Sequence, residues 1–210
     1  MKNMKKYTIL LYTLFVYFIL TGLTVFLLIQ CESDLKFKSI NLLTNKYGAF
    51  ITFLITVLIA PIIEELIFRL SLKHTPFKLY LSSLLGVCFY FNDIYLLNFK
   101  LKNLIFSLLL IFILFLIIKF AIVKYSILEN KKNLRYYSYL LAVLFGMYHF
   151  KMIININYFS IFIYLYIIPK IILGIFLNHI RLNYGMRYNI IMHMFINLLG
   201  NINILIEILK

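Results

Sequence analysis

The chain has 210 residues, of which 64% are hydrophobic and 13% charged, and its mean hydropathy is +0.97. This composition excludes an ordinary soluble domain, whose interior at this length is too small for so many apolar side chains, and it excludes a disordered chain. The net charge of +14 could serve nucleic-acid binding, but Lys and Arg spread along an apolar chain are typical of flanks of membrane spans that contact anionic lipids.

Seven apolar runs come near the roughly 20 residues that a helix needs to cross about 30 Å of hydrocarbon. In chain order they cover residues 7–30, 47–70, 79–99, 104–123, 137–150, 158–177 and 189–209. None alternates apolar and polar residues with a period of two, so helices are expected to satisfy the backbone in lipid. The sequence therefore predicts an all-α fold, a polytopic transmembrane helical bundle of about seven spans.

The basic start of the first run resembles a secretory signal, but the run is long and no small-residue cleavage pattern follows it, which favours an uncleaved anchor. Residues 1–46 are thus expected to form an anchor span and loop, and residues 47–210 a single domain. With a cytoplasmic N-terminus, eleven Lys and Arg, Arg181 among them, lie in inside loops and seven lie outside. This bias predicts that the N-terminus is cytoplasmic.

Two adjacent acids lie inside the second run, Glu64 and Glu65. A carboxylate at the centre of a span costs about 2.5–3.5 kcal/mol, so the pair needs a reason. Glu65 and Arg69 are four residues apart and can pair on one helix face, whereas Glu64 points about 100° away and is the candidate for chemistry. Pro61 should distort the helix and free a carbonyl. The alternative is an ion-pair cluster that only holds the bundle together.

Two later runs carry polar residues at helical spacing. Phe145 and His149 are one turn apart near the end of the fifth run, and His193 and Asn197 share one face of the seventh. Two aligned polar side chains suit an oxyanion hole, since both can donate hydrogen bonds to one point. The alternative is that His149 is an ordinary core residue and that His193 and Asn197 only join helices.

Three motifs thus follow one another along the chain. They are Glu-Glu-x-x-x-Arg at Glu64, Glu65 and Arg69, Phe-x-x-x-His at Phe145 and His149, and His-x-x-x-Asn at His193 and Asn197. In this order they resemble the CPBP intramembrane proteases, also called the Abi or CAAX-protease family, which includes type II CAAX prenyl endopeptidases and lysostaphin resistance protein A. The resemblance covers about residues 59–200. One departure is the enlarged segment 70–144, because the family usually has far fewer residues there.

The resemblance implies an endopeptidase that cleaves a membrane-embedded or membrane-proximal peptide. It implies that Glu64 and His149 activate a water and that His193 and Asn197 stabilise the oxyanion, with Glu65, Arg69 and Phe145 in support. We expect no cofactor, because no closely spaced His-Glu-x-x-His pair pre-organises a metal. A rival mechanism within the family places a catalytic zinc on Glu64, His149 and His193.

Two functions without hydrolysis remain open. The family also has members linked to bacteriocin self-protection, which implies a membrane immunity protein as an alternative. A small transporter is the other, because Asp93 and Lys170 are further charges within apolar runs and could mark an ion path. For each of these functions we expect an integral protein of a bacterial inner membrane.

Overall fold

The computed structural model describes residues 12, 14–23, 38–72, 75–91, 131–149 and 161–209. Within these ranges the chain is almost entirely helical and contains no strand, so the all-α prediction is confirmed. The eight helices are α1 (Leu14–Leu23), α2 (Lys38–Tyr47), α3 (Ala49–Leu72), α4 (Pro76–Phe91), α5 (Lys131–Tyr148), α6 (Ile161–Tyr184), α7 (Met186–Gly200) and α8 (Ile202–Leu209).

One helix of the described part, α3, is long and apolar enough to cross a membrane, with 24 residues. The predicted run 104–123 lies outside the described residues, and the runs 7–30 and 79–99 are described only in part. Helix α5 begins before the predicted run 137–150, and α6 continues beyond the predicted run 158–177 to Tyr184.

The expectation of one continuous helix over residues 189–209 is wrong, because the chain turns at Asn201 between α7 and α8. Both the backbone N–H and the side-chain amide of Asn201 donate to the carbonyl of Asn197, the latter over 2.7 Å. An Asn side chain that bonds nearby carbonyls competes with the helical ladder, and Gly200 before it is a poor helix former. Hydropathy alone does not reveal such a break.

Helix α3 is irregular where Pro61 was expected to distort it. Residues Leu54–Ile59 form a π-helical turn, and the N–H of Ala60 bonds to the carbonyl of Ile55, five residues back. Regular α-helix resumes over Ala60–Phe68 and ends in the 3₁₀ turn Leu70–Leu72. Such single π turns inside α-helices are frequent at functional sites.

The core gathers side chains from α1, α3, α5, α6 and α7. Its buried members are Tyr17, Ile67, Phe68, Phe145, Leu173, Phe176, Leu177, Ile180 and Ile196. Helices α5 and α6 approach closely through small residues, since a Cβ on Gly174 would lie 2.9 Å from Cα of Ala142, and one on Gly146 would meet Ile171. Small residues allow this close approach, which holds the His149 end of α5 against α6.

Candidate functional site

The two acids of α3 have different neighbours, as their positions on the helix predict. Glu65 is fully buried, and its Oε1 lies 3.1 Å from Nη1 of Arg69, which is the expected pair one turn apart. The Arg69 guanidinium also donates through Nε to Asn178 Oδ1 over 3.0 Å and stacks 4.1 Å from the ring centre of Phe145. The buried charge of Arg69 therefore has a carboxylate, an amide and an aromatic face around it.

His193 of α7 lies between the two carboxylates. Its Nδ1 is 2.8 Å from Glu65 Oε1, and its Nε2 is 3.6 Å from Glu64 Oε2. Asn189, one turn earlier on the same helix, donates its side-chain amide to the other oxygen of Glu65. His193 is 1% exposed and Glu64 4%. One buried imidazole thus connects an anchored carboxylate to a second carboxylate.

Asn197, one turn after His193, forms a hydrogen bond to the irregular part of α3. Its Nδ2 donates to the carbonyl of Thr56 over 3.0 Å. This carbonyl needs a side-chain donor, because the N–H of Ala60 goes to Ile55 and Pro61, the next residue in the π pattern, has no N–H. A side-chain amide has two N–H groups, and the contact with Thr56 uses one of them.

His149 lies at the end of α5, where it contacts Phe145. Its Nδ1 is 2.9 Å from the carbonyl of Phe145, and the two rings meet edge to face with centres 4.8 Å apart. The ring of Phe145 also meets His193, with centres 5.8 Å apart. Phe145 therefore lies between the two histidines and keeps their mutual position.

Of the predicted site residues, the structure brings Glu64, Glu65, Arg69, Phe145 and His193 into one connected cluster. His149 and Asn197 flank it, and their polar contacts are to the carbonyls of Phe145 and Thr56. His149 also interacts electrostatically with His193 and Arg69. Asp93 lies outside the described residues.

Sequence reasoning missed three buried polar residues around this cluster. Asn178 joins Arg69 to the carbonyl of Ser138, and Asn189 supports Glu65. The charge count placed Arg181 in an inside loop, but it is 5% exposed in α6 and donates Nε to the carbonyl of Arg69. The difference arises because the helix continues past position 181 to Tyr184, where the sequence predicted a loop. Asn189 could have been found, since it shares the four-residue spacing of His193 and Asn197.

Lys170 of α6 lies near Glu64. Its ammonium donates to the side chain of Tyr17 and interacts electrostatically with Glu64 and Tyr166. The ring centre of Tyr166 is 5.9 Å from Nζ. The cation predicted from the sequence as an isolated intramembrane charge is therefore part of the surroundings of the candidate base.

The rival zinc mechanism needs three ligands around one point. Among the residues that the structure describes, no group of three or more His, Cys, Asp and Glu side chains could hold a metal ion. Of the three proposed ligands, Glu64 and His193 contact one another, whereas His149 contacts Phe145, whose ring lies between the two histidines. The residues do not fit zinc in this arrangement, and we derive no step through a metal.

No protein-family model, no curated protein and no solved structure matches the chain. The resemblance to the CPBP family consequently depends on the three motifs. Since a fold does not determine a function, the function is argued from the chemistry of the site.

Proposed function

We propose that the protein is an intramembrane endopeptidase of the CPBP type, which hydrolyses a peptide bond of a membrane-embedded or membrane-proximal peptide. The observation that carries this proposal is the 3.6 Å approach of Glu64 Oε2 to His193 Nε2 inside the helical bundle. A carboxylate and an imidazole at this separation are suited to accept and return a proton of water. Their burial strengthens the electrostatic effects on which such catalysis depends.

The proposed reaction uses these groups in turn. Glu64 takes a proton from water while the water oxygen attacks the peptide carbonyl, whose oxygen gains the negative charge. The second N–H of Asn197 is available to this oxyanion, and the neutral ring of His149 offers Nε2 as a further acceptor because Nδ1 donates to Phe145. The tetrahedral intermediate then collapses: the C–N bond breaks, the carbonyl re-forms as part of the carboxyl product, and Glu64 passes its proton to the leaving amine, which restores the Glu64 carboxylate.

The proposal includes the arrangement in the membrane. We place about seven spans in a bacterial inner membrane with the N-terminus in the cytoplasm, and we place the protease domain within residues 47–210. The apolar length of α3 and the excess of Lys and Arg in the predicted inside loops support this arrangement. Anionic lipids are the expected neighbours of those cations.

The test compares membrane proteomes of cells that express the wild type or Glu64→Gln. Glutamine keeps the shape of the side chain and loses the proton acceptor, so specific cleavage products should disappear while the protein level and melting temperature stay near wild type. Glu207→Gln on α8 is the matched control, with cleavage retained. Identical peptide profiles of wild type and Glu64→Gln would contradict the proposal.

The alternatives without hydrolysis are a membrane immunity protein for bacteriocin self-protection and a small transporter. The position of Lys170 beside Tyr17 favours the transporter as the second candidate, because intramembrane charges often line ion paths. Either alternative predicts that Glu64→Gln produces no change in any cleavage product. A transporter additionally predicts that Lys170→Met abolishes ion flux in proteoliposomes, whereas a protease does not.

A further inference from the structure

Helices α5 and α6 pack antiparallel in a constant register. The side-chain amide of Asn178 in α6 donates to the carbonyl of Ser138 in α5 over 2.6 Å. The next close approach joins Gly174 to Ala142, one turn back along α6 and one turn on along α5. Each turn forward on α5 thus meets one turn back on α6, and the same register predicts which residues meet on the other side of the Asn178 contact.

Two arginines lie at the next level of this register. Arg135 comes three residues before Ser138, and Arg181 comes three residues after Asn178. Residues three apart share a helix face, so both arginines lie on the contacting faces of the two helices. Arg135 is exposed and Arg181 is 5% exposed. The register therefore brings two guanidinium side chains to the end of the pair where α5 begins and α6 ends.

These two cations have hydrogen-bond donors left to use. Arg181 donates Nε to the carbonyl of Arg69 over 3.1 Å, and a guanidinium has four further N–H groups on its two Nη atoms. Its charge interacts with Glu65, but no ion pair among the described residues includes Arg135 or Arg181. Like charges at one level repel, and an anion bound to both would relieve that repulsion.

The surface of α5 next to Arg135 changes from polar to apolar along the helix. Tyr139, Val143 and Met147 follow Arg135 at intervals of four residues, so the four side chains form one row. Tyr139 is 48% exposed, Val143 39% and Met147 57%. At 1.5 Å per residue the row is about 18 Å long. A cation, a phenol and then aliphatic groups match the order of headgroup, interface and acyl chain in a phospholipid.

We propose that Arg135 and Arg181 bind the phosphate of an anionic phospholipid, whose acyl chain lies along Tyr139, Val143 and Met147. Two guanidinium groups suit a phosphate, because each can donate two parallel hydrogen bonds to its oxygens. A zwitterionic headgroup brings its ammonium toward two cations, so a lipid with a net negative charge is favoured. The inference rests on the proposed membrane arrangement, in which this end faces the cytoplasm, and does not rest on hydrolysis.

The bound lipid is connected to the candidate site through Arg181. Its Nε holds the carbonyl of Arg69, whose guanidinium pairs with Glu65. A phosphate on the Nη groups of Arg181 keeps this side chain against the end of α3. Since a ligand of the folded state stabilises it, the melting temperature should rise with the lipid.

The test titrates phosphatidylglycerol into the delipidated full chain in a neutral detergent, and native mass spectrometry counts the bound lipid. Arg135→Gln removes a guanidinium that makes no hydrogen bond within the described residues, so the fold should persist while the affinity falls about tenfold. Arg187→Gln is the matched control, because this exposed arginine of α7 loses the same charge and the affinity should stay near that of the wild type. If Arg135→Gln does not fold, Arg135→Lys replaces it, since lysine keeps the charge and loses the paired hydrogen bonds.

Equal affinities of the wild type and the Arg135 variant, or an equal loss in Arg187→Gln, would overturn the proposal. Phosphatidylcholine should bind more weakly than phosphatidylglycerol, and inorganic phosphate should raise the melting temperature less than the lipid does. The opposite result with either ligand would reject an anionic lipid as the occupant. Because the assay needs no substrate, selective lipid binding without any cleavage product rejects hydrolysis alone, and cleavage without selective lipid binding rejects the lipid site alone.

Discussion

The side-chain amide of Asn197 donates a hydrogen bond to the backbone carbonyl of Thr56, 3.0 Å away. The bond joins α7 to the π-helical turn of α3, at a carbonyl that Pro61 leaves without its backbone donor. The irregular turn is thus stabilised by the helix that also carries His193.

Replacing Asn197 should weaken its hydrogen bond to Thr56, and the loss of stability should depend on the new side chain. Asn197→Ala removes the donor and should lower the free energy of unfolding by about 1 kcal/mol. Asn197→Asp places an acceptor against the carbonyl and should lower the melting temperature further. Thermal unfolding in detergent measures both, with the exposed Asn203→Ala as the control. Equal melting temperatures for Asn197→Asp and Asn203→Ala would refute the structural role of this bond.

Replacing Glu65 alone or Arg69 alone should destabilise the fold far more than replacing both residues together. Glu65→Leu leaves the guanidinium of Arg69 buried without its carboxylate, which should destabilise the fold by about 3–5 kcal/mol. Adding Arg69→Met removes the orphaned charge and should recover much of that loss. Chemical or thermal unfolding of the two single variants and the double variant gives the coupling energy. Strict additivity of the two changes would show that the ion pair does not control stability.

Part of this site can be predicted from the sequence. The Glu65–Arg69 pair and the shared face of His193 and Asn197 follow from helix geometry alone, because residues four apart lie on one side. The contacts that complete the cluster join residues 109 and 128 positions apart, as between Arg69 and Asn178 and between Glu65 and His193. Such pairings depend on how the helices pack against one another, and the periodicity of the sequence gives no information on that packing.

The hydropathy pattern also did not predict where the helices end. The seventh run is long enough for one span, yet one helix ends at Gly200, the side chain of Asn201 bonds back to Asn197, and the next helix begins at Ile202. The opposite error occurred at Arg181, where a charge was assigned to a loop although the helix continues past it to Tyr184. Charge and apolarity predict the environment of a residue better than they predict the path of its backbone.

Gly174 should tolerate no larger side chain. A Cβ there would lie 2.9 Å from Cα of Ala142, a backbone atom that cannot move independently of α5. Gly174→Ala should therefore lower the melting temperature and reduce expression. Gly200→Ala is the matched control, since a Cβ there has nothing within 4 Å and alanine favours the helix. A melting temperature for Gly174→Ala at or above that of Gly200→Ala would disprove the close packing of α5 and α6.

Metal removal should leave the activity unchanged. A glutamate-type site needs no zinc, so a strong chelator should not reduce cleavage, and the purified protein should not contain one zinc per chain. Elemental analysis and a chelator titration in the same preparation test this. Stoichiometric zinc whose removal and return abolish and restore cleavage would establish the rival mechanism.

The seven-span proposal predicts where the two ends of the chain lie. With a cytoplasmic N-terminus and an odd number of crossings, a reporter fused after Lys210 should report an extracytoplasmic position, and one inserted near Lys131 a cytoplasmic position. Paired alkaline phosphatase and fluorescent protein fusions read both sides. A cytoplasmic signal after Lys210 would reduce the number of crossings to an even one, and the contacts among Glu64, Glu65 and His193 would be unaffected.

The π turn of α3 also sets how the two parts of this helix are rotated relative to one another. A π turn accommodates one residue more than an α-helix of the same rise, and each residue rotates the helix by about 100°. Removing one residue from Leu54–Ile59 would restore a regular helix, but it would turn either the preceding part or the part that carries Glu64 by that angle. One residue more or less in this turn is thus enough to decide whether Glu64 lies toward His193 of α7, while the hydropathy profile stays nearly the same.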